Sequence, residues 1–170
     1  MGQHLVMFES VRIGALGTTG IMGTTLSTIS NIVPDSAVLV FEEQDVTDFY
    51  VEDSDYPEIQ VQATAVRSIE FATYDVDNTE MIMAFGGTSS TTTIWHAPYT
   101  TTAISEKSIE MISKTYGGKK IKIEIARGTL RASAELKFAR SAPGQINFKA
   151  TVMKPTTTAS STYPIVRTFV

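Results

Sequence analysis

The chain has no cysteine, only two histidines (His4 and His96) and a single tryptophan, Trp95. Without cysteine there are no disulfides, no thiolate nucleophiles and no sulfur-ligated metals. A metal site or a catalytic triad needs several donors that converge. His96 stands beside Trp95 and Ala97-Pro98 without a partner in the sequence, and reads as a surface or packing residue. No apolar run is long enough to span a bilayer. The start, Met1-Gly2-Gln3-His4-Leu5, lacks the basic segment and apolar run of a signal peptide. Val6 occupies the position where an N-myristoylation signal carries Ser or Thr. The expectation is a chain that does not insert in a membrane.

Cations are scarce in one half. Residues 1–85 contain two basic residues, Arg12 and Arg67, and fourteen acidic ones, whereas residues 86–170 contain twelve basic and four acidic. Residues 42–58 hold eight carboxylates (Glu42, Glu43, Asp45, Asp48, Glu52, Asp53, Asp55 and Glu58) and no cation. Two readings stay open. The halves neutralise each other within one fold, or an acidic edge on one copy meets a basic edge on the next. The second contact is heterologous, and such contacts close into rings or run on as filaments.

What the chain does have is alternation. Ile121, Ile123 and Ile125 alternate with Lys122 and Glu124; Leu130, Ala132, Ala134, Leu136 and Phe138 with Arg131, Ser133, Glu135 and Lys137; Ile146, Phe148, Ala150 and Val152 with Asn147, Lys149 and Thr151. Period two gives each strand one apolar and one polar face. Residues 117–154 therefore read as three consecutive strands, with turns at Arg127-Gly128 and Ser141-Ala142-Pro143-Gly144. Gly117-Gly118 marks a hairpin back to a strand over Ser108–Thr115. Residues 5–13 read as a first strand or arm, Ala37–Phe41 as a short buried strand, and Asp45–Glu52 as a strand edge or long loop. Strand stretches follow at Gln60–Ala65, Arg67–Thr73 and Ile165–Val170. The one helix is predicted over Asp77–Gly87, with Asp77 or Asn78 capping its free N–H groups, Glu80 near the positive dipole end and Gly86-Gly87 ending it.

A chain of 170 residues fits one domain, spanning 1–170, and buries roughly two thirds of its unfolded surface. The fold expected is mainly β: two packed antiparallel sheets, as a sandwich or barrel, flanked by one short α-helix. Residues 1–30 and 155–170 are expected to be flexible. The glycines of residues 14–25 and the Ser/Thr-rich stretches within 86–103 and 155–163 read as loops or mobile arms.

Signals for chemistry are weak. The glycine spacing of 14–25 is not a dinucleotide fingerprint, and Gly117-Gly118-Lys119-Lys120 lacks the spacing of a phosphate loop. The clusters Glu52-Asp53-Ser54-Asp55 and Asp75–Glu80 lack the glycine and closing glutamate of an EF-hand loop. The basic run Lys119, Lys120, Lys122, Arg127, Arg131 alternates with isoleucines rather than with aromatics, so it reads as a solvated or subunit-facing sheet surface. No cofactor, metal or catalytic residue is expected. The expectation is a protein that forms a surface or a wall, not an enzyme.

The order of features resembles a known family. An acidic, strand-rich N-terminal half leads to Ile69-Glu70-Phe71, then to an Asp-initiated helix closing in Phe85-Gly86-Gly87, then to a hairpin. Gly118-Lys-Lys-Ile-Lys-Ile-Glu-Ile-Ala-Arg-Gly128 follows, with two long alternating strands that end at Pro155. Over residues 36–155 this resembles the major tail tube proteins of long-tailed bacteriophages and their relatives in contractile injection machines. The resemblance implies a structural virion protein, made in the host cytoplasm and located in the tail. It implies six-fold rings that stack into a tube for genome delivery, with other tail and connector proteins as partners and viral DNA passing without sequence specificity. Tube lumens in the family tend to be acidic, whereas residues 119–149 are net basic. Either those lysines pair with a neighbour's acidic block, or another sheet lines the lumen.

The subunit-interface residues expected on this reading are Glu42, Glu43, Asp45, Asp48, Glu52, Asp53 and Asp55 on the acidic side, with Lys119, Lys120, Lys122 and Arg127 on the basic side. The alternative is a carbohydrate- or protein-binding β-sandwich, a virion decoration or adhesion module, in which Trp95, Tyr99 and Tyr116 form a stacking platform. In the bland reading Trp95 packs against the helix. A hydrolase on a β scaffold is a third reading, open because carboxylate pairs can come from distant strands, although the acidic residues here cluster in one block rather than singly among aromatics.

Overall fold

The computed structural model describes residues 8–18, 20–50, 52, 56–91, 93–100, 105–139, 142–156 and 163–170. It is mainly β, with antiparallel sheets packed together and one helix, as the alternation required. The strands are β1 (Phe8–Gly14), β2 (Leu26–Ile29), β3 (Val38–Phe41), β4 (Val46–Phe49), β5 (Ile59–Gln62) and β6 (Arg67–Thr73). After α1 (Asn78–Phe85) come β7 (Thr88–Thr91), β8 (Ile94–His96), β9 (Ser105–Ser113), β10 (Ile121–Ala139), β11 (Ala142–Val152) and β12 (Ile165–Phe169). The large sheet runs β2-β1-β9-β10-β11-β6-β3, with β12 also paired to β10. Two ribbons, β4–β5 and β7–β8, stand outside it.

The expected turn at Arg127-Gly128 does not exist. Residues 121–139 form one continuous strand, and between Ile125 (opposite Ile109) and Gly128 (opposite Lys107) β10 takes three residue steps to the two of β9. One extra residue on one strand is a β-bulge. Its signature is already in the sequence, because the inward positions switch from odd (121, 123, 125) to even (130, 132, 134). The bulge also separates two neighbours on the same edge of β10. Residues 121–125 pair with β12, and residues from Gly128 onward pair with β11.

The long sheet curls until its ends meet. Beyond β2 the chain bonds to the end of β6: Val33 N donates to Ala72 O at 2.8 Å and Tyr74 N to Asn31 O at 3.0 Å. The hydroxyl of Thr73 donates to Ser30 O at 2.7 Å. This link ties the β2 end of the sheet to β6 and encloses one core, with β3 left as an edge. Val11, Ile13, Ile29, Ile69, Phe71, Ile109, Met111, Ile123, Ile125, Ile146 and Phe148 form its centre, with the Phe71 and Phe148 rings stacked at 5.1 Å between centroids.

Three local expectations change. Residues 8–29, within the segment expected to be flexible, hold β1 and β2, and Val11, Ile13 and Ile29 are in the core. The glycine-rich stretch after β1 lies on the outer face of the sheet, where Gly23 N donates to the buried Ser108 Oγ at 2.9 Å. Space explains Gly23: a Cβ there would meet Ala15 O at 2.0 Å. Strand β3 is not buried; it is the sheet's edge, with Val38 and Phe41 exposed. The C-terminal strand expected over Ile165–Val170 is present as β12; residues 157–162 lie outside the described residues. Among the described residues no helix is long and apolar enough to cross a membrane.

Candidate functional site

The acidic block folds into the β4–β5 ribbon. From Glu42 to Gln62 every described residue is exposed except the half-buried Pro57. Cross-strand partners share a face, so the register separates the ribbon's two sides. Thr47 opposite Val61 and Phe49 opposite Ile59 make one side apolar. Val46 opposite Gln62 and Asp48 opposite Gln60 make the other mostly polar. An isolated two-stranded ribbon is marginal in water. This one leaves Phe49, Ile59 and Val61 more than half exposed.

Of the expected acidic interface residues, Glu42, Glu43, Asp45, Asp48 and Glu52 are exposed on or beside this ribbon; Asp53 and Asp55 lie outside the described residues. Glu42 acts through space on Lys149, whose pKa is raised mainly by its hydrogen bond to Glu70 and further by Glu42.

The expected basic residues do not form one free edge. Lys120 pairs with Glu9 at 2.5 Å, and Lys122 with Glu124 at 2.9 Å on its own strand. Arg127 grips Glu106 through two hydrogen bonds, Nε to Oε2 at 2.9 Å and Nη2 to Oε1 at 2.6 Å. That pair holds the Glu106 pKa down and the Arg127 pKa up. Only Lys119, exposed in the β9–β10 turn, forms no ion pair among the described residues. Sequence spacing gave no access to Glu9 and Glu106, which come from other strands.

A groove of about 920 Å³ lies between α1, the β8 segment and β10. Ile82, Met83, Phe85, Trp95, Leu130 and Ala132 give it apolar walls, and Tyr99 stands at its rim. Its charged lining among the described residues is Lys107 and Arg131, with no carboxylate. The helix is built as its sequence dictates: Asp77 caps it by accepting from Thr79 N and Glu80 N, and Gly86 ends it at φ 73°. Trp95 packs on it, its Nε1 donating to Gly86 O at 2.9 Å and its ring 6.5 Å from that of Phe85. Trp95 and Tyr99 share the groove, but Tyr116 sits in the β9–β10 turn and does not line it, so the three-ring platform is not assembled there.

The sequence reading missed the apolar side of the ribbon and the cationic groove. The first had a signal in the alternation Ile59-Gln60-Val61-Gln62; the second had none, because its walls come from three separate parts of the chain. Among the described residues no three His, Asp or Glu side chains cluster as metal ligands. His96 is exposed and within 3.1 Å of the Ser90 hydroxyl. In comparisons with known proteins, no family model and no curated protein matches the chain.

Proposed function

We propose that this chain is a structural virion protein whose copies assemble into rings and stack into a tail tube, the conduit for genome delivery. The observation that carries the reading is the β4–β5 ribbon. It projects an apolar side ringed by carboxylates into solvent, a surface that marks an interaction site. The resemblance implies two packed β-sheets flanked by one helix, and the mainly β fold, with antiparallel sheets packed together and one short helix, is consistent with it. The outer part of the β10–β11 ladder is a second candidate: among the described residues its pairing with β9 reaches Leu130 and with β6 reaches Ile146, and Leu136 beyond them is exposed. On this reading the partners are further copies in a six-fold ring, other tail and connector proteins, and DNA passing without sequence specificity. No catalysis is assigned.

The second reading is a glycan-binding module, favoured by the placement of Trp95 and Tyr99 in one groove. Negative-stain electron microscopy across protein and salt concentrations separates the two. Rings or hollow tubes are expected. Uniform monomers under every condition, together with glycan binding lost in Trp95→Ala, would replace the tube by the binding module.

A further inference from the structure

We propose that the β4–β5 ribbon of one copy docks, apolar side inward, in the groove between α1 and β10 of the next copy. The proposal rests on the tube reading and names the contact that would build it. Three observations point to this occupant. The ribbon is apolar on one side and acidic around it, with no cation anywhere between Glu42 and Val66. The groove is apolar in its walls and cationic at Lys107 and Arg131, without a carboxylate among the described residues. Arg131 also stands opposite Lys149 across the β10–β11 ladder, a like-charge pair that costs stability, and Glu70 serves Lys149 rather than Arg131. Neither Lys107 nor Arg131 has an ion pair among the described residues.

The ribbon does not fill its own groove, since its described residues are exposed. It leaves the large sheet at Phe41 and Arg67, one end of β6, while α1 follows the other end, at Thr73. The donor and acceptor surfaces therefore differ, and the contact between copies is heterologous. Such a contact repeats around a ring when the rotation closes. Opposite charges at the rim set the register and speed encounter, while the apolar side supplies the burial.

The absence of cysteine makes the test clean. Val61→Cys places a thiol on the apolar side of the ribbon, and Ala97→Cys places one at the groove; both native residues are exposed. Under mild oxidation in assembling conditions, a mixture of the two variants is expected to give a linked dimer containing one of each. A chain with both substitutions is expected to give a ladder of linked oligomers that stops at the ring number. Trp95, the sole tryptophan, lines the groove, so unaltered protein is expected to show a blue-shifted emission when it assembles. Rings or tubes that form with neither the mixed link nor the emission shift would overturn this contact and leave the tube reading intact. Protein that stays monomeric by microscopy would overturn both. Emission that shifts on adding an oligosaccharide to monomer, with no link in assembled protein, would give the groove to a glycan.

Discussion

Asp77 and Glu80 meet at the first turn of α1, where Glu80 N donates to Asp77 Oδ1 at 3.3 Å. Glu80 is buried, its Oε2 has no partner among the described residues, and burial followed by hydrogen bonding to Asp77 pushes its pKa up to about 7. The Glu80 bond, aided by the N–H groups of residues 79 and 80, holds the pKa of Asp77 down. Glu80 therefore holds its proton over a pH range in which Asp77 caps the helix as a carboxylate.

The pair sets a pH dependence. Glu80 retains its proton in the fold after the unfolded chain, with an ordinary value of 4.5, has lost its own. Stability from this group is thus fully present below about 4.5, falls as pH rises toward about 7, and is flat above. Asp77 acts oppositely: its contribution is present above its ordinary 3.8 and lost as pH falls through its lowered value. In Glu80→Gln the amide donates to Asp77 at every pH. That variant is expected to lose the decline between 4.5 and 7 and to gain on the order of 1 kcal/mol at pH 8. Urea unfolding at pH 5 and pH 8 measures it; parallel losses in both proteins would refute the assignment.

The lysines divide by partner. Lys122 is half-buried, with its ammonium on Glu124, and Glu124 itself stands opposite Glu110. Lys122→Glu sets a third carboxylate among those two and is expected to lower the melting temperature measurably. Lys119→Glu, exposed and without an ion pair among the described residues, is expected to leave it unchanged. The sequence reading placed Lys119, Lys120 and Lys122 together on the basic side of one subunit interface. The structure separates them. Scanning calorimetry on the single variants checks the division; equal losses at 119 and 122 would show that local ion pairing does not set their roles.

Core packing was the most legible part of the sequence. Each inward position inferred from alternation at Ile121, Ile123, Ile125, Leu130, Ile146, Phe148 and Ala150 is buried, because one apolar face leaves a strand a single way to lie. Alternation failed at the hairpin tip, where Leu136 continues the pattern but no element covers it. It failed again at Gly128, where glycine was read as a turn although the backbone simply bulges. The interface was less legible. Charge blocks showed which residues were unusual, but only the tertiary fold decides whether a lysine already has an acid beside it. Arg127 shows this best, since Glu106 comes from the neighbouring strand.

The core prediction follows directly. Phe148 is 2% exposed and stacked on Phe71. Phe148→Ala is expected to cost about 3–5 kcal/mol in equilibrium unfolding. Leu136→Ala, at 47% exposure on the same strand pair, is expected to cost less than about 0.5 kcal/mol. Similar losses at the two sites would mean that the hairpin tip is covered in the monomer.

The ribbon gives the opposite pattern, in which the fold is indifferent and the assembly is not. Phe49, Ile59 and Val61 touch no part of the core, so replacing all three with Ser removes apolar surface without opening a cavity. The unfolding free energy of the body is expected to change by no more than about 0.5 kcal/mol. If the apolar side of the ribbon is what a second copy covers, the concentration at which rings first appear should rise at least about tenfold, since only about 1.4 kcal/mol of lost contact is needed for that. Sedimentation velocity over a dilution series, at low and high salt, reads both parts. Added salt should weaken assembly of the unaltered chain, because the ribbon's carboxylates and the groove's cations meet at an exposed rim. A triple variant that assembles at the original concentration would remove the ribbon from the interface, whatever its charge.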